Sequence, residues 1–301
     1  MLREDVYRLF DQIRIWKKGD ERAPHKPLLI LYALGQLSRG GSNCFAFCNV
    51  APALTSLLEE FGPARKSYHP EFPFWYLQND SLWIIDEVDR LKRRTGKNSV
   101  TKGELIKHDA HGYFPSEIAE QLQGDPSLIA DIALRLLEGH FPSSLHQDIL
   151  DAVGLDLEFS ALVTKRKRDP EFRRRILTAY EYACAVCGFD VRLGSQFVAL
   201  EAAHIKWHQA GGPDEESNGL ALCSLHHKAF DRGAFTIQSD WTLVVSELAY
   251  GQRGFEEWLL QYHGLPIRPP HRDSYIPNTK FLAWHQSEVF KSPPRDLLGC
   301  T

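Results

Sequence analysis

Several things are scarce in this chain of 301 residues, and each scarcity removes a class of protein. No stretch approaches the roughly 18 uninterrupted apolar residues that a membrane-spanning helix needs, and the opening run MLREDVYRLF lacks the apolar centre of a secretory leader. The expectation is a cytoplasmic protein. Six cysteines, at 44, 48, 184, 187, 223 and 300, leave no convincing disulfide framework once the three at metal-ligand spacing are set aside, so a reducing compartment fits. Excess positive charge is missing as well: 35 Lys and Arg stand against 39 Asp and Glu, a net charge of -4. Any nucleic-acid footprint must therefore be local. Internal repeats and low-complexity tracts are absent too. What remains, 43 % hydrophobic and 25 % charged residues, is ordinary for a soluble globular chain, and the length leaves room for two packed cores.

The densest chemistry lies between Cys184 and His227. Cys184-Ala-Val-Cys187 and Cys223-Ser-Leu-His226 offer three thiolates and an imidazole at the spacing of a tetrahedral structural zinc site. The segment from Phe197 to His204 reads as a strand, QAGGPDEESNG as a loop and Cys223 to Phe230 as a helix, with further strands at 234–237 and 243–246. On that helix Cys223 and His226 share a face, whereas His227 is rotated by about 100 degrees and must look elsewhere. A purely structural zinc module would leave His204, Asn218 and His227 without duties. Helix EFRRRILTAYEY leads into the Cys184 turn.

The run EAAHIKWHQAGGPDEESNGLALCSLHHKAFDRGAF resembles the HNH endonuclease family, with signature positions at His204, Asn218 and His227. The resemblance implies a ββα-metal domain that hydrolyses phosphodiesters with a divalent ion such as Mg2+ or Mn2+. His204, at a strand end, then suits the general base, since a neutral imidazole titrates near working pH. Asn218 suits a brace for that histidine or its loop, and His227 a ligand of the catalytic ion or a group that steadies the leaving oxygen. One departure stands out. Many members carry an acidic residue directly before the first histidine, where this chain has Ala203; Glu201, on the same side of the strand, can substitute in part. Asp231 and Arg232 read equally as phosphate contacts or as capping and surface pairing, and His208 as an exposed loop residue. His263, His271 and His285 read as packing.

The first half is different in character. Val6, Leu9, Phe10, Ile13 and Trp16 recur at helical spacing, predicting a helix that ends near Lys17-Lys18-Gly19 with its apolar stripe in the core. A second helix is expected from Pro27 to Gly40, apolar almost all round and so buried. FPFWYLQNDSLWIID, over 72–86, reads as a hairpin turning at Asn79-Asp80-Ser81. An exposed loop, LKRRTGKNSVTKG, follows, and helices return in LIADIALRLLEGHF and SLHQDILDAVGL. Cys44 and Cys48 are expected to be buried free thiols.

APHKPL, SYHPEFPFW and the run after it resemble the sulfur-binding domain of phosphorothioate-dependent, McrA-like restriction endonucleases, in which that domain precedes an HNH domain. The resemblance implies an apolar pocket for the sulfur of a phosphorothioate, from Pro70, Pro73 and the ring of His69 or Tyr68, with His25 and Lys26 beside it. It also implies contacts from Arg93, Arg94 and Lys97 to double-stranded DNA. The expected organisation is α+β: a DNA-reading, mostly helical domain with a β-hairpin at 1–158, a basic linker and lead-in helix at 159–175, and a zinc-braced HNH domain at 176–301. KRKRDPEFRRR, over 165–175, holds seven basic residues against two acidic ones and is expected to meet backbone phosphates. Cutting both strands calls for two active sites, so a homodimer is expected. A reader of another mark, such as a methylated base, or a non-catalytic zinc-stabilised DNA-binding regulator are the other readings of the same residues.

Overall fold

The computed structural model describes residues 2–16, 18–156 and 170–296, which divide into two units, Met1–Val163 and Thr164–Thr301. Of the expected basic linker, residues 159–169 lie outside the described residues. No helix among the described residues is long and apolar enough to cross a membrane.

The first unit opens with α1 (Arg3–Asp11) and α2 (His25–Ser38). After them come β1 (Phe45–Ala46), α3 (Phe47–Phe61), α4 (Glu71–Tyr76), β2 (Ile84–Ile85), α5 (Lys102–Lys107), β3 (His111–Tyr113), α6 (Ser116–Gly124), α7 (Pro126–His140) and α8 (His146–Val153). α2 is apolar on nearly every side, which is stable only when it is surrounded. Accordingly α3, α4, α6, α7 and α8 all pack on it, and Leu28, Leu29, Ile30, Leu31 and Leu34 are buried. Gly35 permits the closest of these contacts, since a Cβ there would lie 2.1 Å from the carbonyl oxygen of Val153 in α8. α7 begins where Asp125 accepts the N–H groups of Ser127 and Leu128 and Pro126 fills the first turn. β3 lies between β1 and β2 in a small antiparallel sheet.

Three expectations for this unit fail. The aromatic run at 72–86 is no hairpin: Pro70 leads into α4, a 3-10 turn follows over Leu77–Asp80, and Ser81 ends it with a left-handed φ of 58°. Phe74 and Trp75 face the core from that short helix and Leu77 from the turn after it. β2, the expected second arm, pairs with β3 through Ile84↔Tyr113 and Ile85↔Gly112, a partner far along the chain that a local pattern cannot name. α1 stops at Asp11, and Trp16, beyond it, is 59 % exposed. Cys44 and Cys48 are exposed rather than buried, because Phe45 and Phe47 take the inward positions between them.

The second unit begins with α9 (Pro170–Ala179), then β4 (Arg192–Leu193), β5 (Gln196–Phe197), β6 (Leu200–His204), β7 (Gly219–Cys223), α10 (Ser224–Asp231), β8 (Phe235–Ile237), β9 (Leu243–Val245), α11 (Arg253–Trp258) and α12 (Thr279–Glu288). β6 and β7 pair antiparallel from Leu200↔Cys223 to His204↔Gly219. α10 packs on both strands, and α9 covers them with Phe172, Ile176 and Leu177. The result is mixed helix and sheet, with two strands and a helix framing the chemistry. His285 is buried, stacked 3.6 Å from Phe230, and its Nδ1 and Nε2 face Thr236 Oγ1 and the Phe230 carbonyl.

Candidate functional site

Cys184 and Cys187 sit in a tight turn after α9, where Cys184 donates its N–H to the Phe189 carbonyl and Gly188 to that of Cys184. Cys223 ends β7, and His226 lies one turn into α10. The ligand atoms of all four lie within 4.8 Å of one another, with Cys184 Sγ 3.7 Å and Cys223 Sγ 3.1 Å from His226 Nδ1, and Cys187 Sγ 4.0 Å from Cys223 Sγ. Metal bonds of about 2.0 Å to nitrogen and about 2.3 Å to sulfur place tetrahedral ligands at similar separations. Nε2–H of His226 donates to the Trp258 carbonyl at 2.7 Å, which leaves Nδ1 bare for the ion. Hydrogen bonds from Cys187 and then Cys223 pull the Cys184 thiol far below its ordinary pKa, so a thiolate is favoured. These four residues can hold one metal ion.

His204 closes β6 opposite Gly219. Its imidazole stacks on Phe172 of α9, ring centres 4.0 Å apart and 11° from parallel. A Cβ on Gly219 would lie 2.2 Å from Ile176 Cδ1 and 3.1 Å from Phe172 Cζ, so glycine is what lets α9 lie against the strand pair here. His204 Nε2 lies 2.7 Å from Asp214 Oδ1. Burial lowers the pKa of His204, against the raising effect of the Asp214 hydrogen bond and charge. The ring is thus neutral near pH 7.

Asn218 is fully buried. Its Oδ1 accepts the Lys206 N–H at 2.8 Å, and its Nδ2 donates to the carbonyls of Lys206 at 3.0 Å and Pro213 at 2.9 Å. The amide staples the two ends of the loop after His204. His227 lies on another side of α10 from His226, with Nδ1 at 2.5 Å from Glu201 Oε2 and Nε2 at 3.1 Å from Asp231 Oδ2. Burial disfavours its charged form, but Asp231 and then Glu201 outweigh this and raise its pKa to about 9. Asp231 is almost wholly buried and also accepts Trp207 Nε1–H at 2.9 Å. His204 and Glu201, the partner of His227, lie on the same strand, β6. The half-exposed Glu201 carboxylate is a hard oxygen donor of the kind that suits a divalent ion, and the His227 ring beside it could add a nitrogen only on losing a proton.

Sequence reasoning passed over Asp214, Phe172 and Trp207, and left Asp231 between surface roles. Acidic residues in the loop joining His204 to Asn218 were the available signal for Asp214. The arginines of α9 also proved to be engaged within the unit: Arg173 donates to the Leu200 carbonyl at 2.9 Å, Arg174 pairs with Glu171 at 2.6 Å and Arg175 donates to the Asp214 carbonyl at 2.7 Å. Residues 165–168 of the basic run lie outside the described residues.

In the first unit an open groove of about 300 Å³ is lined by Trp16, Glu21, Arg22, His25, Arg65, Lys66, Ser67, His69 and Phe72. His25 and His69 meet there, as do cations and ring faces that the sequence reading had not singled out. The His69 and Phe72 rings stack at 5.1 Å. Burial, then the charges of Arg65 and His69, lower the pKa of His25 to about 4, so this ring is neutral. Pro70 and Pro73 are buried in and before α4, and Tyr68 donates its hydroxyl to the Pro63 carbonyl at 3.3 Å; none of the three lines the groove. Lys26 turns to Asp80, at 2.5 Å. Arg94 pairs with the buried Glu71 at 3.1 Å and covers the Phe72 ring, while Arg93 is exposed over Trp75.

Residues 3–158 match the family model described as ScoMcrA-like, DNA sulfur-binding domain, and residues 184–238 match the model of the HNH endonuclease. No curated protein matches the chain. Among solved structures, the sulfur binding domain of ScoMcrA complexed with phosphorothioated DNA is 22% identical, with 50% of this chain and 94% of that chain covered and a TM-score of 0.44. The sulfur binding domain of SprMcrA complexed with phosphorothioated DNA is 19% identical, with 52% and 95% covered and a TM-score of 0.45. The type IV phosphorothioation-dependent restriction endonuclease ScoMcrA is 22% identical at a TM-score of 0.43; 50% of this chain is covered, but only 32% of that longer one.

Proposed function

The chain belongs to the ScoMcrA-like DNA sulfur-binding domain family through residues 3–158 and carries an HNH endonuclease segment at 184–238; on that basis we propose that it binds phosphorothioated DNA and hydrolyses nearby phosphodiester bonds as a modification-dependent restriction endonuclease. The observation that carries the reading is the hydrolytic constellation in the same chain as the reader: His204 anchored by Asp214 at the head of a loop stapled by Asn218, on the strand whose Glu201 meets His227.

His204 takes a proton from water through its unprotonated nitrogen. Phe172 and Asp214 hold the ring still while it does so. Asn218 keeps the loop ends together, and Asp231, tied to Trp207, fixes His227. Glu201, and His227 once its proton is displaced, would hold a divalent ion such as Mg2+ or Mn2+, which would supply positive charge to the phosphate in the transition state. Zinc is our assignment for Cys184, Cys187, Cys223 and His226, a soft donor set at tetrahedral spacing.

For the reader, the groove beside α2 offers ring surface from Trp16, His69 and Phe72 with three cations, Arg22, Arg65 and Lys66, against one carboxylate, Glu21. A phosphorothioate sulfur is soft and weakly hydrated, so ring surface and a neutral His25 desolvate it at little cost. A phosphate oxygen turned to those ring faces, rather than to the three cations, loses water without gaining a donor, at about 1–3 kcal/mol, which is roughly 5- to 150-fold in affinity. His69, His25 and Phe72 are therefore the sulfur-facing residues of this reading, with Arg93 on the adjacent surface as a backbone contact. Scission of both strands uses two copies of the chain, so a homodimer on DNA is part of the proposal, and sedimentation on cleavable duplex tests it.

Digestion of a defined duplex with one phosphorothioate linkage, beside its oxygen twin and a methylated duplex, tests the whole. We expect scission of the first alone in Mg2+ or Mn2+, and none by His204→Ala. Equal cutting of all three, or preference for the methylated duplex, would overturn the sulfur assignment; unchanged cutting by His204→Ala would overturn the hydrolytic one.

A further inference from the structure

We infer that Asp214 is a positioning residue for the general base: it holds His204 as the Nε2–H tautomer and leaves Nδ1 to receive the proton of the attacking water, an inference that rests on the hydrolytic reading above.

The geometry carries it. Nε2 of His204 lies 2.7 Å from Asp214 Oδ1, and Nδ1 has no hydrogen-bond partner among the described residues. A carboxylate only accepts, so the proton sits on Nε2 and the lone pair on Nδ1. Phe172, parallel beneath the ring, fixes its plane, but a stacking face cannot distinguish one nitrogen from the other. The edge contact from Asp214 can. Asp214 is itself fixed: Arg175 of α9 donates to its backbone carbonyl at 2.7 Å, and Asn218 Nδ2 donates to that of Pro213 at 2.9 Å. Among the neighbouring acids, Glu216 lies 3.2 Å from Arg175 Nε and Glu215 accepts the Ser217 hydroxyl, so neither duplicates this contact.

In the step itself the water oxygen forms its bond to phosphorus as its proton passes to Nδ1, and the bond to the leaving oxygen breaks with its electron pair. The imidazolium formed is then flanked by the Asp214 carboxylate. Asp214 thus selects the tautomer before the step and stabilises the cation during it.

Single-turnover cleavage of the sulfur duplex by Asp214→Asn and Asp214→Glu, across pH and with metal content checked, tests the inference. For Asp214→Asn we expect kcat to fall about 100-fold, in the range of a lost general-base contribution, with KM for DNA unchanged. The acid limb of its pH profile should move to lower pH, because the anion that raises the His204 pKa is gone. Asp214→Glu should restore part of the rate. A purely structural loop residue would not move that limb. An independent arm needs no variant to fold: ¹⁵N shifts of His204 in the wild-type chain should report the Nε2–H form. Wild-type kcat and an unmoved limb in Asp214→Asn, or an Nδ1–H tautomer in the wild type, would overturn the inference. His204→Ala, run alongside, separates the two failures: if it still cuts, the hydrolytic reading is wrong, and if it does not while Asp214→Asn does, only Asp214 is.

Discussion

Lys26 provides the sharpest test of how the reading half is built, because its sequence context points to DNA and its structure points inward. Nζ lies 2.5 Å from Asp80 Oδ2, with the two side chains 13% and 1% exposed, and it also donates to the Arg14 carbonyl at 3.0 Å. Asp80 in turn accepts the Arg14 N–H at 3.0 Å. Together these contacts tie the start of α2, and the segment before it at Arg14, to the turn after α4. Lys26→Met leaves a buried carboxylate with one N–H for company, and breaking such a pair costs about 3–5 kcal/mol. For a unit of this size each kcal/mol lowers Tm by about 2–4 °C, so the transition should fall by about 6–20 °C. Lys26→Met/Asp80→Asn removes both charges while keeping an acceptor for Arg14, and should recover most of the loss. The assay is calorimetry of the full chain, with duplex binding at several salt concentrations below the transition. A phosphate contact would show as a salt slope reduced by about 1. An unchanged Tm together with that reduced slope would refute the internal role and return Lys26 to the DNA.

The metal cluster, the buried histidines and the α9 contact make further predictions. Cys187→Ser should abolish metal retention by elemental analysis and remove the second unit's calorimetric transition, since a structural ion of this type contributes about 10 kcal/mol or more to folding. His25 and His140 have pKa values lowered to about 4 by burial, helped at His25 by Arg65 and His69. The unfolded chain therefore binds these protons first, so stability should be lost as pH falls from about 6.5 to about 4, by at most about 3 kcal/mol per ring. His25→Gln and His140→Gln should flatten the urea midpoint over that interval. Gly219→Ala forces a Cβ against Ile176. It should destabilise by about 1–3 kcal/mol and lower kcat with metal content intact, as read by denaturation and single-turnover cleavage.

Legibility followed the sequence distance over which each feature is built. The Cys184–Cys187 and Cys223–His226 pairs are short-range motifs, a turn and one step of a helix, so their convergence could be read from spacing. The different orientations of His226 and His227 followed from helical rotation for the same reason. α2 was legible because an all-round apolar helix has one stable environment. The 72–86 run misled because a short aromatic stretch satisfies both periodicities, and the partner of β2 is β3. Cys44 and Cys48 misled because residue type suggested burial while Phe45 and Phe47 took the inward side.

From the order of its residues alone, this chain is committed to two units, a metal-knuckle helix and a His-Asn-His set, because each depends on periodicity or on ligands a few residues apart. Which groups serve those histidines is another matter. Asp214 for His204, Phe172 beneath it, and Glu201, Asp231 and Trp207 round His227 come from a loop, two helices and a strand. Their contacts exist only once β6 and β7 adopt their register and α9 settles over Gly219. Hydrogen bonds and ring stacking act over a few ångströms of space, and separation along the chain does not reveal that proximity.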